Sequence, residues 1–262
     1  MKVIDCFIFY NELDMLEFRL NELNDVVDYF VLVECIKTFS NNDKELYFEN
    51  NKNRFSKFLD KIVHIIVKDN IPQTNSAWDR ENYQRDCIDE GIKKLSLNMD
   101  DIIIIADLDE IPDAKTVQNI KNNNGLDGIY NLEMDFYYYN INCKYDKKWL
   151  QPKILNYGSY IKYNSPRVIF RDVPNIPIIK NGGWHFSYFG DVEFIKNKIR
   201  NFSHQEYNND FILNDERITK QIQNSSDLFG RSHETFNYID VNDNTYLPYK
   251  YEEFKHILNK NI

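Results

Sequence analysis

Three carboxylates fall within four positions at Asp107-Leu108-Asp109-Glu110, directly behind four consecutive isoleucines at 102–105. Each anion raises the cost of ionising the next, so a cation is expected among them: a lysine, an arginine or a metal ion. In an extended chain residues i and i+2 point the same way, which predicts Asp107 and Asp109 on one side of the strand's C-terminal end. Glu110 would point oppositely if the strand continued, and Pro112 argues that it stops soon after. Hard oxygen donors converging on one point suit Mg²⁺ or Mn²⁺. A divalent ion there would neutralise charge building on a departing diphosphate. The plainer use of such aspartates is to cap the following turn or helix.

The elements that must carry this cluster read as a parallel α/β sheet. Residues 3–10, VIDCFIFY, form an apolar run, and Leu13, Leu16, Leu20 and Leu23 follow at helical spacing. YFVLVEC at 29–35 is the next strand, completing a strand-helix-strand unit. A third strand is expected at 61–69, a helix over about 79–95, and then the isoleucine strand. Runs apolar on both faces are what strands covered by helices on both sides require. After Pro112 the pattern predicts a helix at AKTVQNIKNN, a strand at GIYNLEMDFYYYNIN, a strand at RVIFRD (167–172), and helices over about 191–202 and 249–259. Residues 205–248 show little regular pattern. One domain is expected, with a nucleotide-binding half over about 1–112, an acceptor-side half over about 113–204, and an irregular and helical region at 205–262.

Composition narrows the function classes. A net charge of −9 excludes general binding to a nucleic-acid backbone, which needs a basic surface to release counterions. The chain has 18 Tyr and 18 Phe, enough flat rings both for a core and for a pocket that stacks on sugars or bases. Cys6, Cys35, Cys87 and Cys143 form no CxxC pair, so neither a zinc knuckle nor a disulfide framework is signalled. The first residues read as a core strand, and no apolar run approaches the roughly 18–20 residues that span a bilayer. A soluble, cytoplasmic protein is the expectation.

Four blocks in order, YNELDMLEFRLNEL (10–23), VDYFVLVECIKTFS (27–40), DDIIIIADLDEIP (100–112) and GGWHFSYFG (182–190), resemble glycosyltransferase family 17. That resemblance covers roughly residues 3–200. It implies a GT-A-type fold, a UDP-sugar donor such as UDP-N-acetylglucosamine, a glycan or other hydroxyl acceptor, and inversion at the anomeric carbon. It also implies that Asp107 and Asp109 are the metal-binding D-x-D and that His185 completes a Mn²⁺ (or Mg²⁺) site, with His204 in reserve. Asn11, Glu12 and Glu34 would sit on the same sheet edge, near the nucleoside, although Asn11 also reads as the N-cap of the first helix. In AWDRENYQRD (77–86), Arg80 is a binding candidate, and either Arg80 or Arg85 is a candidate partner for Asp107 or a phosphate. An inverting displacement needs a base for the acceptor hydroxyl. Asp191, opening a helix after Gly190, is preferred over Glu133, Asp135 and Glu193.

Two other classes use the same residues. A metal-dependent phosphohydrolase or nucleotidyltransferase could be built on the acidic strand end, but the phosphohydrolases that work through an aspartyl-phosphate need a Thr or Ser two positions beyond the second Asp, where Ile111 stands. A catalytically inactive carbohydrate-binding protein would not need Asp107, Asp109 and His185 together.

Overall fold

The structure, a computed structural model, describes residues 1–259. The chain opens with β1 (Val3–Phe9), α1 (Leu13–Leu23) and β2 (Tyr29–Cys35). A short helix α2 (Tyr47–Asn50) leads to β3 (Ile62–Val67), α3 (Ala77–Asp86), α4 (Ile88–Ile92) and β4 (Ile102–Ile105). These strands lie in the order β3-β2-β1-β4, all parallel. The expected α/β architecture, a central sheet flanked by helices, is present.

Alternation along these strands explains their apolar composition on both faces. Val3, Phe7, Phe30, Leu32, Ile102 and Ile104 pack with Leu16, Leu20 and Leu23 of α1 on one side. Ile4, Cys6, Val31, Val33, Ile103 and Ile105 pack with Ile88 and Ile92 of α4 on the other. All four isoleucines of β4 are fully buried, and burying each such side chain contributes roughly 1.5–3 kcal/mol. The acidic residues that follow therefore leave a strand that is firmly anchored.

Beyond β4 the chain passes through β5 (Glu110–Pro112), α5 (Ala114–Asn122), β6 (Ile129–Tyr138), β7 (Cys143–Tyr145) and β8 (Lys153–Asn156). Next come α6 (Tyr157–Tyr163), α7 (Pro166–Arg171), β9 (Ile178–Ser187), α8 (Val192–Asn201), α9 (Asp215–Gln223), β10 (Phe236–Tyr238) and α10 (Tyr251–Leu258). β8 runs antiparallel to β4 and carries the sheet on to β6, β7 and β10, while β9 lies parallel to β6 and antiparallel to β5. The β5–β9 approach is close: a Cβ on Gly183 would sit 2.1 Å from the Ile111 carbonyl oxygen, and its φ of +143° suits only glycine. This contact seats His185 opposite Glu110.

Several local expectations are corrected. Residues 167–172 are helical in α7, not a strand: Ser165 accepts the Val168 N–H and Pro166 opens the first turn, start signals that outweigh Val168 and Ile169. The helix expected over 79–95 is α3 and α4, parted at Cys87. Asn11 does not cap α1; Glu12 holds that position without a side-chain cap bond, and Asn11 offers its carbonyl to the Leu13 N–H. Among residues 205–248, α9 and β10 are regular, the former capped by Asn214 and buried through Ile218 and Ile222. No helix among the described residues is long and apolar enough to cross a membrane.

Candidate active site

β1, β2 and β4 end on one edge of the sheet, and a cavity of about 290 Å³ opens there, the place where open α/β sheets bind ligands. One wall comes from Tyr10 and Glu12 after β1, Thr38 and Phe39 after β2, and Trp78 of α3. Trp149, Phe170, Arg171 and His185 line it as well, together with Lys198 and residues 201–204, and Trp78 and Arg171 meet across it at 4.9 Å. Most of the other rings serve the core, as Phe7, Phe18, Phe30 and Phe48 do.

The strand ends at Ile105, so Asp107 and Asp109 stand on a turn, closed by the Glu110 N–H donating to the Asp107 carbonyl at 3.1 Å. Both carboxylates line the cavity all the same. The turn is held from below by Arg19 of α1, a fully buried side chain. Its Nε and Nη2 donate to the two oxygens of buried Asp5 at 2.7 and 2.6 Å. Its Nη1 reaches the carbonyl oxygens of Asp107, Leu108 and Glu110 at 2.8, 3.0 and 2.8 Å.

Each aspartate has a cation from the chain itself. Asp107 accepts from Arg85 Nη2 at 2.7 Å and Asp109 from Lys198 Nζ at 2.6 Å. Of the two arginines in 77–86 it is Arg85 that reaches the site. It is anchored on its other side by Glu81 at 3.0 Å, and Glu81 also receives Arg171 and Ser203. Burial opposes charge on Asp109, yet Lys198 and His185 together hold its carboxyl well below the usual range. Burial likewise opposes charge on Lys198, and Asp109 and Glu12 more than offset it, raising the ammonium's pKa.

His185 Nε2 lies 3.5 Å from Asp109 Oδ1. Its ring stacks on Phe136 at 4.3 Å and leans on Trp149 at 4.8 Å, which fixes its plane, while Nδ1 is buried without a partner. The spacing is close to the ~3 Å between neighbouring ligand atoms on an octahedral ion with bonds of 2.0–2.1 Å. Asp109 and His185 therefore fit one small divalent cation. The third donor is not preassembled: among the described residues no three His, Cys, Asp or Glu side chains converge, because Asp107 is turned to Arg85. Glu110 is buried beneath, its carboxylate accepting the Asp107 N–H and Trp149 Nε1–H. Burial, with Asp107 beside it, pushes its pKa up to about 7.

A profile of glycosyltransferase family 17 matches residues 1–253. The chain belongs to that family. Among curated proteins it is similar to the β-1,4-mannosyl-glycoprotein 4-β-N-acetylglucosaminyltransferases of Rattus norvegicus and Homo sapiens, each 32% identical over 117 residues. Those matches cover 42% of this chain and 22% of each relative, so the chain spans under a quarter of the length of the curated relatives it matches.

Against the cavity of this family 17 chain, the remaining expected residues divide. Glu12 lines it, 3.8 Å from Lys198. Asn11 and Glu34 do not; Glu34 is fully buried and accepts the Phe48 N–H at 2.9 Å, with His64 beside it. Arg80 is also turned away, donating to the carbonyls of Phe39 and Thr74, so it shapes the loops without touching the cavity. None of the carboxylates expected as the base lines the cavity. Asp191 is exposed and caps α8 by accepting the Phe194 N–H at 2.8 Å. Asp135 is only 2% exposed and bound by Lys144 and Lys148, and Glu133 lies on β6 outside the cavity lining. His204 does line it, with Nδ1 2.7 Å from Glu206 and its ring edge-on to Trp78 at 4.7 Å. Arg19, Lys198 and Trp149 belong to the site without having been expected there. An arginine inside the apolar helix LDMLEFRLNEL was the one available signal, since such a charge is buried only with a partner.

Proposed function

We propose that this chain transfers N-acetylglucosamine from a UDP-sugar to a hydroxyl of a glycan, inverting the anomeric carbon. The observation that carries the reading is the corner where Asp107, Asp109 and His185 face one cavity at the ends of β1 and β4 in a family 17 chain. The activity for which the rat and human relatives are named supplies the sugar and the acceptor class. Asp109 and His185 would hold Mn²⁺ or Mg²⁺, joined by Asp107 once it leaves Arg85. Such an ion supplies charge to offset the departing diphosphate.

The chain's own groups fill the other roles. Tyr10, Phe39 and Trp78 bring aromatic surface to the cavity lining against which the uracil ring would pack. Arg19 keeps the acidic turn from shifting, which matters because small misplacements of reacting groups cost large factors in rate. For the acceptor hydroxyl's proton the cavity wall offers His204. An Nδ1–H donated to Glu206 leaves Nε2 with a lone pair to act as base. This replaces Asp191, Asp135 and Glu133 in that role.

A thermal-shift screen of UDP, UDP-N-acetylglucosamine and other sugar nucleotides, with and without Mn²⁺, tests the donor, since ligands that bind only the folded state raise Tm. UDP compounds should raise Tm, and more strongly with Mn²⁺. NMR of the product should show the anomer opposite to the donor's. A screen in which no nucleotide shifts Tm under either condition sinks the reading.

A further inference from the structure

Asp109 is already paired in the free protein: Oδ2 holds Lys198 Nζ at 2.6 Å, while Oδ1 faces His185 Nε2 at 3.5 Å. A divalent ion bound through Asp109 would put two like-charged cations on one carboxylate in a buried corner, where repulsion is weakly screened. That repulsion favours release of one of them, and the ammonium is the one on a flexible stem. Lys198 enters the cavity from α8, its side chain 19% exposed and its ammonium 5.5 Å from the centre of the Tyr188 ring. Glu12, 3.8 Å from Nζ, is the one other anion within 4 Å of it among the described residues, and it is already engaged by the Asn11 N–H at 3.1 Å. A diphosphate entering the same cavity is a stronger acceptor for the freed ammonium.

We propose that Lys198 is an exchangeable counter-ion: it holds Asp109 in the free protein and passes to the donor's phosphates when a divalent cation takes Asp109. This rests on the reading above that a cation and a nucleoside diphosphate share the cavity. Its consequence is that metal alone binds poorly, nucleotide alone binds poorly, and each strengthens the other. Lys198 is thus a positioning and binding residue whose removal has two effects of opposite sign.

The test is calorimetry on the full chain and on Lys198→Met, titrating Mn²⁺ alone and then UDP at saturating Mn²⁺. The variant should bind Mn²⁺ about 10-fold tighter than wild type and UDP about 10-fold more weakly, within the range usual for coupled sites. Lys198→Arg, which keeps the charge, should leave Mn²⁺ binding weak. Equal Mn²⁺ affinity in wild type and Lys198→Met overturns the exchange while the metal reading stands. Absence of Mn²⁺ binding in both overturns the metal reading, and the exchange with it. Should the methionine variant fail to fold, Lys198→Gln takes its place in the same two titrations, with the same expected shifts and the same overturning result.

Discussion

Two carboxylate–cation pairs flank the same turn and have opposite fates. Asp5 and Arg19 are both fully buried, bidentate, and face nothing but protein. Asp109 and Lys198 are as short, at 2.6 Å, but line a cavity. A sealed pair has no route to another partner, so its charges can only fix geometry, and here they fix the carbonyls of the acidic turn. An open pair can trade one partner for a ligand. The difference between framework and site in this molecule is therefore one of access and of cation, a bidentate arginine in the sealed pair and a single lysine contact in the open one.

The most severe way to break the comparison is Asp5→Ala, which leaves Arg19 buried and uncompensated. It should cost about 3–5 kcal/mol, the usual toll for removing one partner of a buried pair, read as a shift of the urea midpoint. A near-neutral result would mean that the sealed pair is not the turn's support. His204→Ala should lower kcat by about 10² to 10⁴, the range of acid–base groups, with UDP affinity and Tm unchanged; a fall in UDP affinity of like size would move His204 to donor binding.

The open pair has a pH signature. Because the Asp109 carboxyl is held below its unfolded value, it binds fewer protons folded than unfolded. Its contribution is present above about pH 4, the ordinary carboxylate pKa, and is lost as pH falls through and below it. Tm of wild type should therefore drop more steeply from pH 5 to pH 2 than Tm of Asp109→Asn, and parallel curves would deny the pair any role in stability. The mildest change is Asp191→Ala, which removes a helix cap and should cost about 1 kcal/mol with turnover preserved. A loss of turnover by a factor of 100 would restore Asp191 as the base.

The parallel half of the fold was legible because its strands are apolar on both faces and its first helix repeats leucine at 13, 16, 20 and 23. Asp107, Asp109 and His185 were legible as a group, through the D-x-D and the GGWHFSYFG block. Of their partners, Arg85 was one of two arginines offered for Asp107, and Lys198 was not offered at all. Lys198 sits in a helix of ordinary amphipathic pattern, and nothing local marks it as the lysine that turns inward; only the packing of α8 over the cavity does. Asp191 misled for the opposite reason, since a carboxylate that caps a helix and one that takes a proton look alike in sequence. α7 misled because Val168 and Ile169 favour a strand locally, while Ser165 and Pro166 decide the matter from outside the segment.

α1 has a second attachment. Phe18 lies 5.4 Å from Phe254 of α10, and the Glu22 carboxylate accepts the N–H groups of Tyr249 and Lys250 at 3.0 and 2.8 Å. Arg19 stands between those two anchors on the same helix. The bracket that steadies the acidic turn is thus itself braced by a segment 227 residues further along the chain. A nascent chain stalled before Tyr249 would carry every residue of the cavity and still lack a settled floor for it.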